Sequence, residues 1–165
     1  MNDIIKNRRS IRKFKPAPVT REQLDALLEA AMHAPTARNA RAFEFVAVTN
    51  RELLDEVAKE SPNAGMCAEA PAAIIVVAVP ALEKSEGYFP QDCSAATMNI
   101  LTEAVSLGLG TCWCGIYPRE ERQILLRKLF GIDEAKIPFC IIAVGVPDEE
   151  PEAKGFFEPS KVRYI

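Results

Sequence analysis

The hydrophobic positions of this chain recur at helical spacing in some stretches and at strand spacing in others, which predicts helices and strands interleaved along its length. Thr20-Arg21-Glu22-Gln23 has the form of a capping box, in which the first and fourth side chains each satisfy a free backbone N–H of the other. Leu24, Leu27, Leu28 and Ala31 then share one helical face until Ala34-Pro35 stops the helix. Phe43 to Val48 reads as a strand, Asn50 caps a helix carrying Leu53, Leu54, Val57 and Ala58, and Ala72 to Val79 is a β-rich apolar run. The longest helical pattern covers about Gln91 to Leu109, with the small residues Ser94, Ala95, Ala96 and Thr97 early and Gly108 and Gly110 as stop signals. Thr111 to Ile116 and Ile137 to Val144 are further strands, separated by a helix that Pro118 starts and Gly131 closes.

No repeat, linker or low-complexity block interrupts this pattern, so residues 1–165 read as one domain, with 147–165 an extended C-terminal arm containing Pro147, Pro151 and Pro159. The small-residue face of the central helix suits either the sheet or its own copy in a homodimer. Phe156, Phe157 and Tyr164 on the arm need an apolar surface, for which a partner subunit is one candidate.

Charge narrows the function classes. With 20 Lys+Arg against 23 Asp+Glu the chain carries net −3, whereas proteins held on nucleic acid by counterion release need a basic field. The N-terminus has no apolar core of a secretory signal, and the most apolar stretch, Ala70 to Leu82, contains Pro71 and Pro80 and is too short to span a bilayer. The expectation is a cytoplasmic protein with neither a nucleic-acid nor a membrane partner. Its five cysteines, Cys67, Cys93, Cys112, Cys114 and Cys140, are odd in number and read as reduced thiols packed as small hydrophobes. Cys112-Trp113-Cys114 has the wrong spacing for a zinc site, and on a strand both sulfurs would face one side and the indole the other.

Three segments carry candidate chemistry. Arg8-Arg9-Ser10-Ile11-Arg12-Lys13-Phe14 gathers four cations and a hydroxyl, a grip for phosphate, because guanidinium forks match pairs of phosphate oxygens; the alternative is a solvated basic arm. The loop from Ala34 to Phe43 offers Thr36 and Asn39 as ligand donors beside Pro35, or is an ordinary helix-to-strand connection. Leu107 to Gly115 is Gly-rich but lacks the strand-first order of a dinucleotide fold.

Taken together, these segments resemble the nitroreductase family of FMN-dependent oxidoreductases over nearly the whole chain. Arg8 to Phe14 looks like the family's Arg-Arg-Ser-x-Arg-x-aromatic signature, and Pro35, Thr36, Ala37 and Asn39 match its Pro-Ser-Ser-x-Asn segment. The match departs at Arg41, Ala42 and Phe43, where the family usually has Gln, Pro and Trp. Leu107 to Trp113 and Gly145-Val146-Pro147 also fit.

The resemblance implies an α+β sandwich with a mixed, largely antiparallel sheet flanked by helices, in an intertwined homodimer holding FMN at the subunit interface. It assigns Arg8, Arg9 and Ser10 to phosphate and ribityl oxygens and Arg12 to the pyrimidine edge of the flavin. Pro35, Thr36, Ala37 and Asn39 would reach the flavin bound mainly by the other subunit. Asn63 matches a flavin-contacting Asn, and Trp113, Cys114 and Gly115 match backbone contacts beside the reactive ring. Lys154 fits one member of a C-terminal basic pair, with Phe156 where a second cation is often found. No side chain is implied as a catalytic acid, base or nucleophile. The implied reaction passes hydride from NADH or NADPH through flavin N5 to a nitroaromatic, quinone or enone by a ping-pong mechanism. Flavin fragmentation, specialised dehydrogenation or dehalogenation, and a non-catalytic flavin- or phospholigand-binding module are the alternatives.

Overall fold

The computed structural model describes residues 2–152, 155 and 157–165. Its centre is a sheet of β1 (Phe43–Val48), β2 (Ala72–Ala78), β3 (Gly110–Gly115) and β4 (Ile137–Gly145) in the order β1-β2-β4-β3, with every neighbouring pair antiparallel. The parallel component is a single bridge from Ser10 to Thr111. Helices cover both faces: α2 (Arg21–Met32) and α4 (Phe89–Ser106) on one, α3 (Arg51–Glu60) and α5 (Glu120–Phe130) on the other, with α1 (Asp3–Asn7) against α4.

The two inner strands explain why their sequences are apolar without alternation. Ile74, Val76, Ile142 and Val144 point toward α2 and α4, while Ala73, Ile75, Val77, Ile141 and Ala143 point toward α3 and α5. A strand covered on both faces gains from burying every side chain, so the period-two signal disappears. The β2–β4 register shifts between Val76 and Val77, where Cys140 and Pro138 are the partners and Phe139 is the extra residue. Proline has no N–H for the ladder, and a bulge is where a strand tolerates it.

The predicted caps are present. Gln23 N donates to Thr20 Oγ1 at 3.2 Å and Thr20 N to Gln23 Oε1 at 2.9 Å, and Asn50 Oδ1 accepts from Leu53 N at 3.0 Å. Gly131 ends α5 at φ 62°, the left-handed region that glycine enters without penalty. Two boundaries differ from expectation. The central helix spans Phe89–Ser106 rather than Gln91 to Leu109, because Glu83 Oε1 accepts from Tyr88 N and Phe89 N, each at 2.8 Å, and Gly108 turns at φ 69°. Helix α5 starts at Glu120 rather than Pro118, because Arg119 N donates to Ile116 O at 2.9 Å to close a turn first.

The segment after α1 is stitched to the sheet in two steps. Ile11 N donates to Thr111 O, Lys15 N to Val146 O and Asp148 N to Lys13 O, each at 2.9 Å. Ile11 and Phe14 are the buried anchors, packed in the core on the α3 side. Beyond Pro147 the described residues contain one short 3-10 turn, Pro159–Lys161, with Phe157 and Tyr164 exposed. No helix among the described residues is long and apolar enough to cross a membrane.

Candidate functional site

Burial of Ile11 and Phe14 fixes the register of the cation segment, leaving Arg12 and Lys13 exposed and Arg8, Arg9 and Ser10 half-buried where β3 begins. Arg9 is engaged with main chain: its Nε donates to Glu152 O at 3.0 Å and its Nη1 to Arg8 O at 2.8 Å. Glu149 Oε1 accepts from the backbone N–H groups of Arg12, at 2.5 Å, and Lys13, at 3.2 Å. That carboxylate anchors the main chain of the segment, and the Arg12 residue is exposed.

Strand β3 is an edge, and its outward hydrogen-bonding positions alternate. Thr111 O accepts from Ile11 N at 2.9 Å, and Gly115 O accepts from Asn63 Nδ2 at 3.0 Å and Arg122 Nη1 at 2.9 Å. Trp113 lies between these two residues, so its N–H and C=O also face outward, and neither has a partner among the described residues. The open edge therefore offers one donor and one acceptor at Trp113. The indole ring packs on Phe139 at 6.1 Å between centroids, and Phe139 in turn stacks on Tyr117 at 6.2 Å. Asn63 is held by Ser61 Oγ, which donates to its Oδ1 at 2.8 Å.

The loop between α2 and β1 is strained. Arg38, Asn39 and Arg41 have φ of 52°, 52° and 51°, a left-handed conformation that costs a non-glycine residue about 1 kcal/mol or more. Tertiary contacts hold it: Asp92 Oδ1 on α4 accepts from Ala37 N at 2.9 Å, and Thr36 Oγ1 accepts from Arg41 N at 3.1 Å. Lys84 Nζ donates to the carbonyls of Arg38 and Asn39, each at 3.4 Å, and Arg38 Nη1 donates to Lys84 O at 3.1 Å. Strain maintained this thoroughly is characteristic of functional loops.

One chain does not bring these groups together. The cations and Ser10 meet β3 at its start, beside the end of β4; the loop precedes Phe43, which pairs with the last residue of β2, at the sheet end where β3 finishes. The six residues of β3 span about 17 Å between those ends. Asn63 and Gly115 are joined directly, and Trp113 lies between Gly115 and the cation segment. Lys154 lies outside the described residues. Sequence reasoning missed Glu149, Lys84 and Asp92, because each acts through a contact between distant parts of the chain, and Arg122, whose bond to Gly115 O spans the turn between β3 and α5.

The five cysteines are buried and unpaired by disulfides. Burial pushes the Cys67 and Cys140 thiols up to about 12, and raises Cys93 as well. A hydrogen bond from Cys114, aided by the Arg12 charge, holds Cys112 below the ordinary thiol range, while that bond and burial push Cys114 up. Both sulfurs point into the core beneath β3, away from the Trp113 ring, and Cys114 Sγ lies 3.4 Å from Met66 Sδ. No group of three or more His, Cys, Asp or Glu among the described residues is arranged to hold a metal. The double variant Cys112→Ala, Cys114→Ser is expected to retain flavin binding and quinone reduction and to lose about 1–2 kcal/mol of stability from the emptied core volume. A folded, flavin-loaded variant that accepts electrons from NAD(P)H but cannot pass them on would place the chemistry on the thiols.

Comparison with known proteins identifies the family and the fold. The sequence profile of the Nitroreductase family matches residues 5–65 and 55–146. A Methanothermobacter thermautotrophicus protein named "Putative NADH dehydrogenase/NAD(P)H nitroreductase" is 44% identical over 160 residues, covering 97% of this chain and 84% of that protein. The crystal structure of a Bacteroides thetaiotaomicron protein of the same name superposes with a TM-score of 0.93 at 38% identity, covering 98% of this chain and 95% of the other. An FMN-dependent nitroreductase from Clostridium difficile superposes with a TM-score of 0.90 at 30% identity, covering 98% and 96%. The chain belongs to the nitroreductase family.

Proposed function

We propose that this chain is an FMN-dependent oxidoreductase, active as a homodimer, that carries reducing equivalents from NADH or NADPH to a nitroaromatic, quinone or enone acceptor. The observation that carries the reading is the outward, unpartnered backbone edge of Trp113 beside a cation cluster on an otherwise acidic chain. The FMN dependence in the name of the C. difficile relative supports it.

The residues present fit the cofactor. Arg8, Arg9 and Ser10 would hold its phosphate and ribityl oxygens, and Arg12 would place a positive charge beside its pyrimidine edge. Trp113, Cys114 and Gly115 meet the ring through backbone, with Asn63 fixing Gly115. Pro35, Thr36, Ala37 and Asn39 precede β1, the edge strand opposite β3, about 14 Å across the sheet from a ligand lying on β3, so they complete the site of the second copy. When bound, FMN supplies the redox chemistry, taking hydride from a nicotinamide and delivering electrons to the acceptor. The protein positions, shields and charges; no side chain has to donate a proton or attack a carbon. An open face bounded by Trp113 and Tyr117, each 37% exposed, admits flat substrates of varied outline.

Initial rates of NAD(P)H oxidation with a quinone are expected to give parallel double-reciprocal lines, because donor and acceptor use the same face in turn. Intersecting lines would mean both bind together. Light scattering at micromolar concentration is expected to return a dimer mass, with an interface of the obligate size, above roughly 2,000 Å². A flavin-loaded monomer would contradict the shared site.

A further inference from the structure

We propose that Arg122 is a positioning residue of the flavin site: with Asn63 it pins the carbonyl of Gly115 and so holds the end of β3 on which the ring rests; this rests on the flavin reading above and adds a residue to it. Arg122 Nη1 donates to Gly115 O at 2.9 Å, and Asn63 Nδ2 donates to the same oxygen at 3.0 Å. A carbonyl oxygen has two lone pairs, so the two donors saturate it and fix the plane of its peptide group. They arrive from different elements, Asn63 from the 3-10 turn Pro62–Ala68 and Arg122 from the first turn of α5. On the other side of that peptide Ile116 N donates to Phe139 O at 3.1 Å, which ties the same plane to β4.

Gly115 needs this restraint. It is exposed on an edge strand, and a Cβ built there would meet nothing within 4 Å, so no packed side chain holds it in place. A glycine in a strand brings backbone freedom and contributes no side-chain packing. Its φ lies outside the left-handed region and no crowding excludes a methyl group, so neither backbone conformation nor packing accounts for the glycine, and its bare backbone face is left open to a ligand. Four residues earlier on the same outward edge, Thr111 O is taken by Ile11 N. The edge groups of Trp113 are therefore open between two closed positions, and Asn63 and Arg122 close the second.

Arg122 works against its own helix. It is the third residue of α5, in the turn whose free N–H groups favour negative charge, and the two residues before it, Glu120 and Glu121, follow that preference. A cation here is unfavourable to the helix, so its gain lies outside α5, in the bond to Gly115. The second donor is oriented in turn: Ser61, itself buried, donates its Oγ to Asn63 Oδ1 at 2.8 Å, which directs Asn63 Nδ2 to the carbonyl.

The test titrates FMN and riboflavin into the flavin-free native chain, Arg122→Met and Arg122→Lys, read by flavin fluorescence and by visible circular dichroism of the bound ring. Methionine keeps much of the apolar length of arginine without an N–H donor, and lysine keeps a donor of similar reach. Arg122→Met is expected to weaken both flavins by the same factor, about tenfold, and to diminish the dichroism of the bound ring, because the lost restraint acts on the seat of the ring and not on the phosphate. Arg122→Lys is expected to restore both readings. The melting temperature of the flavin-free protein is expected to stay within about 2 °C, since the lost bond is at the surface and the helix sheds an unfavourable cation. Native affinity in Arg122→Met overturns the role, and so does a lysine variant that rescues nothing. A loss confined to FMN would make Arg122 a phosphate contact, and a large fall in melting temperature would make it a residue of the fold; either overturns the proposal. A native chain that binds neither flavin overturns the flavin reading instead.

Discussion

The double variant Arg8→Ala, Arg12→Ala is expected to bind FMN about a hundredfold more weakly than the native chain. Each substitution removes a charge-assisted hydrogen bond, worth about 1.5 to 3 kcal/mol, and each 1.4 kcal/mol is a factor of ten in affinity. The fold should survive, because Arg12 is exposed and the segment is anchored by the buried Ile11 and Phe14 rather than by its cations. Fluorescence titration with FMN and far-UV circular dichroism separate the two effects. Full flavin occupancy in the purified double variant would remove these arginines from the cofactor site.

Gly145→Ala should lower the stability of the fold by overpacking the end of β4. A Cβ there would lie 2.6 Å from Pro71 Cδ and 2.7 Å from Phe14 Cδ1, closer than carbon atoms approach, at the point where β4 pairs with Gly110 of β3. Neither neighbour is the end of a flexible chain: one is a proline ring and the other the aromatic anchor of the cation segment. Overpacking of this kind costs about 1–3 kcal/mol, which in a domain of this size lowers Tm by roughly 2–4 °C for each kcal/mol. Because Phe14 must move, FMN affinity should fall as well. Gly65→Ala, with nothing within 4 Å of its Cβ, is the control expected to leave both unchanged. Equal melting temperatures for the two variants would contradict the packing at Gly145.

These two predictions draw on different levels of the chain. The arginines, the caps at Thr20 and Asn50 and the apolar runs of β2 and β4 are local features, so the sequence alone exposes them, and every strand and the helices from α2 to α5 were legible from periodicity. The close approach of Phe14 to Gly145 was not, because it depends on a segment near the N-terminus crossing the end of the last strand. The start of α4 was misread by two residues for the same reason: Glu83, outside the helix, supplies acceptors for its first N–H groups. At the site, Asn63 could be named from the resemblance, but its bond to Gly115, 52 residues away, belongs to the tertiary structure. Propensity allows asparagine a left-handed conformation, as at Asn39, yet gives no hint of the same geometry at Arg38 and Arg41. That geometry is held by the contacts with Asp92 and Lys84.

Anaerobic reduction tests the account most directly. Protein reconstituted with FMN is expected to lose its visible flavin absorption when NADH or NADPH is added without oxygen, and to regain it when a quinone follows. A chain that FMN cannot reconstitute, or whose bound flavin stays oxidised with both dinucleotides, would contradict the function proposed here.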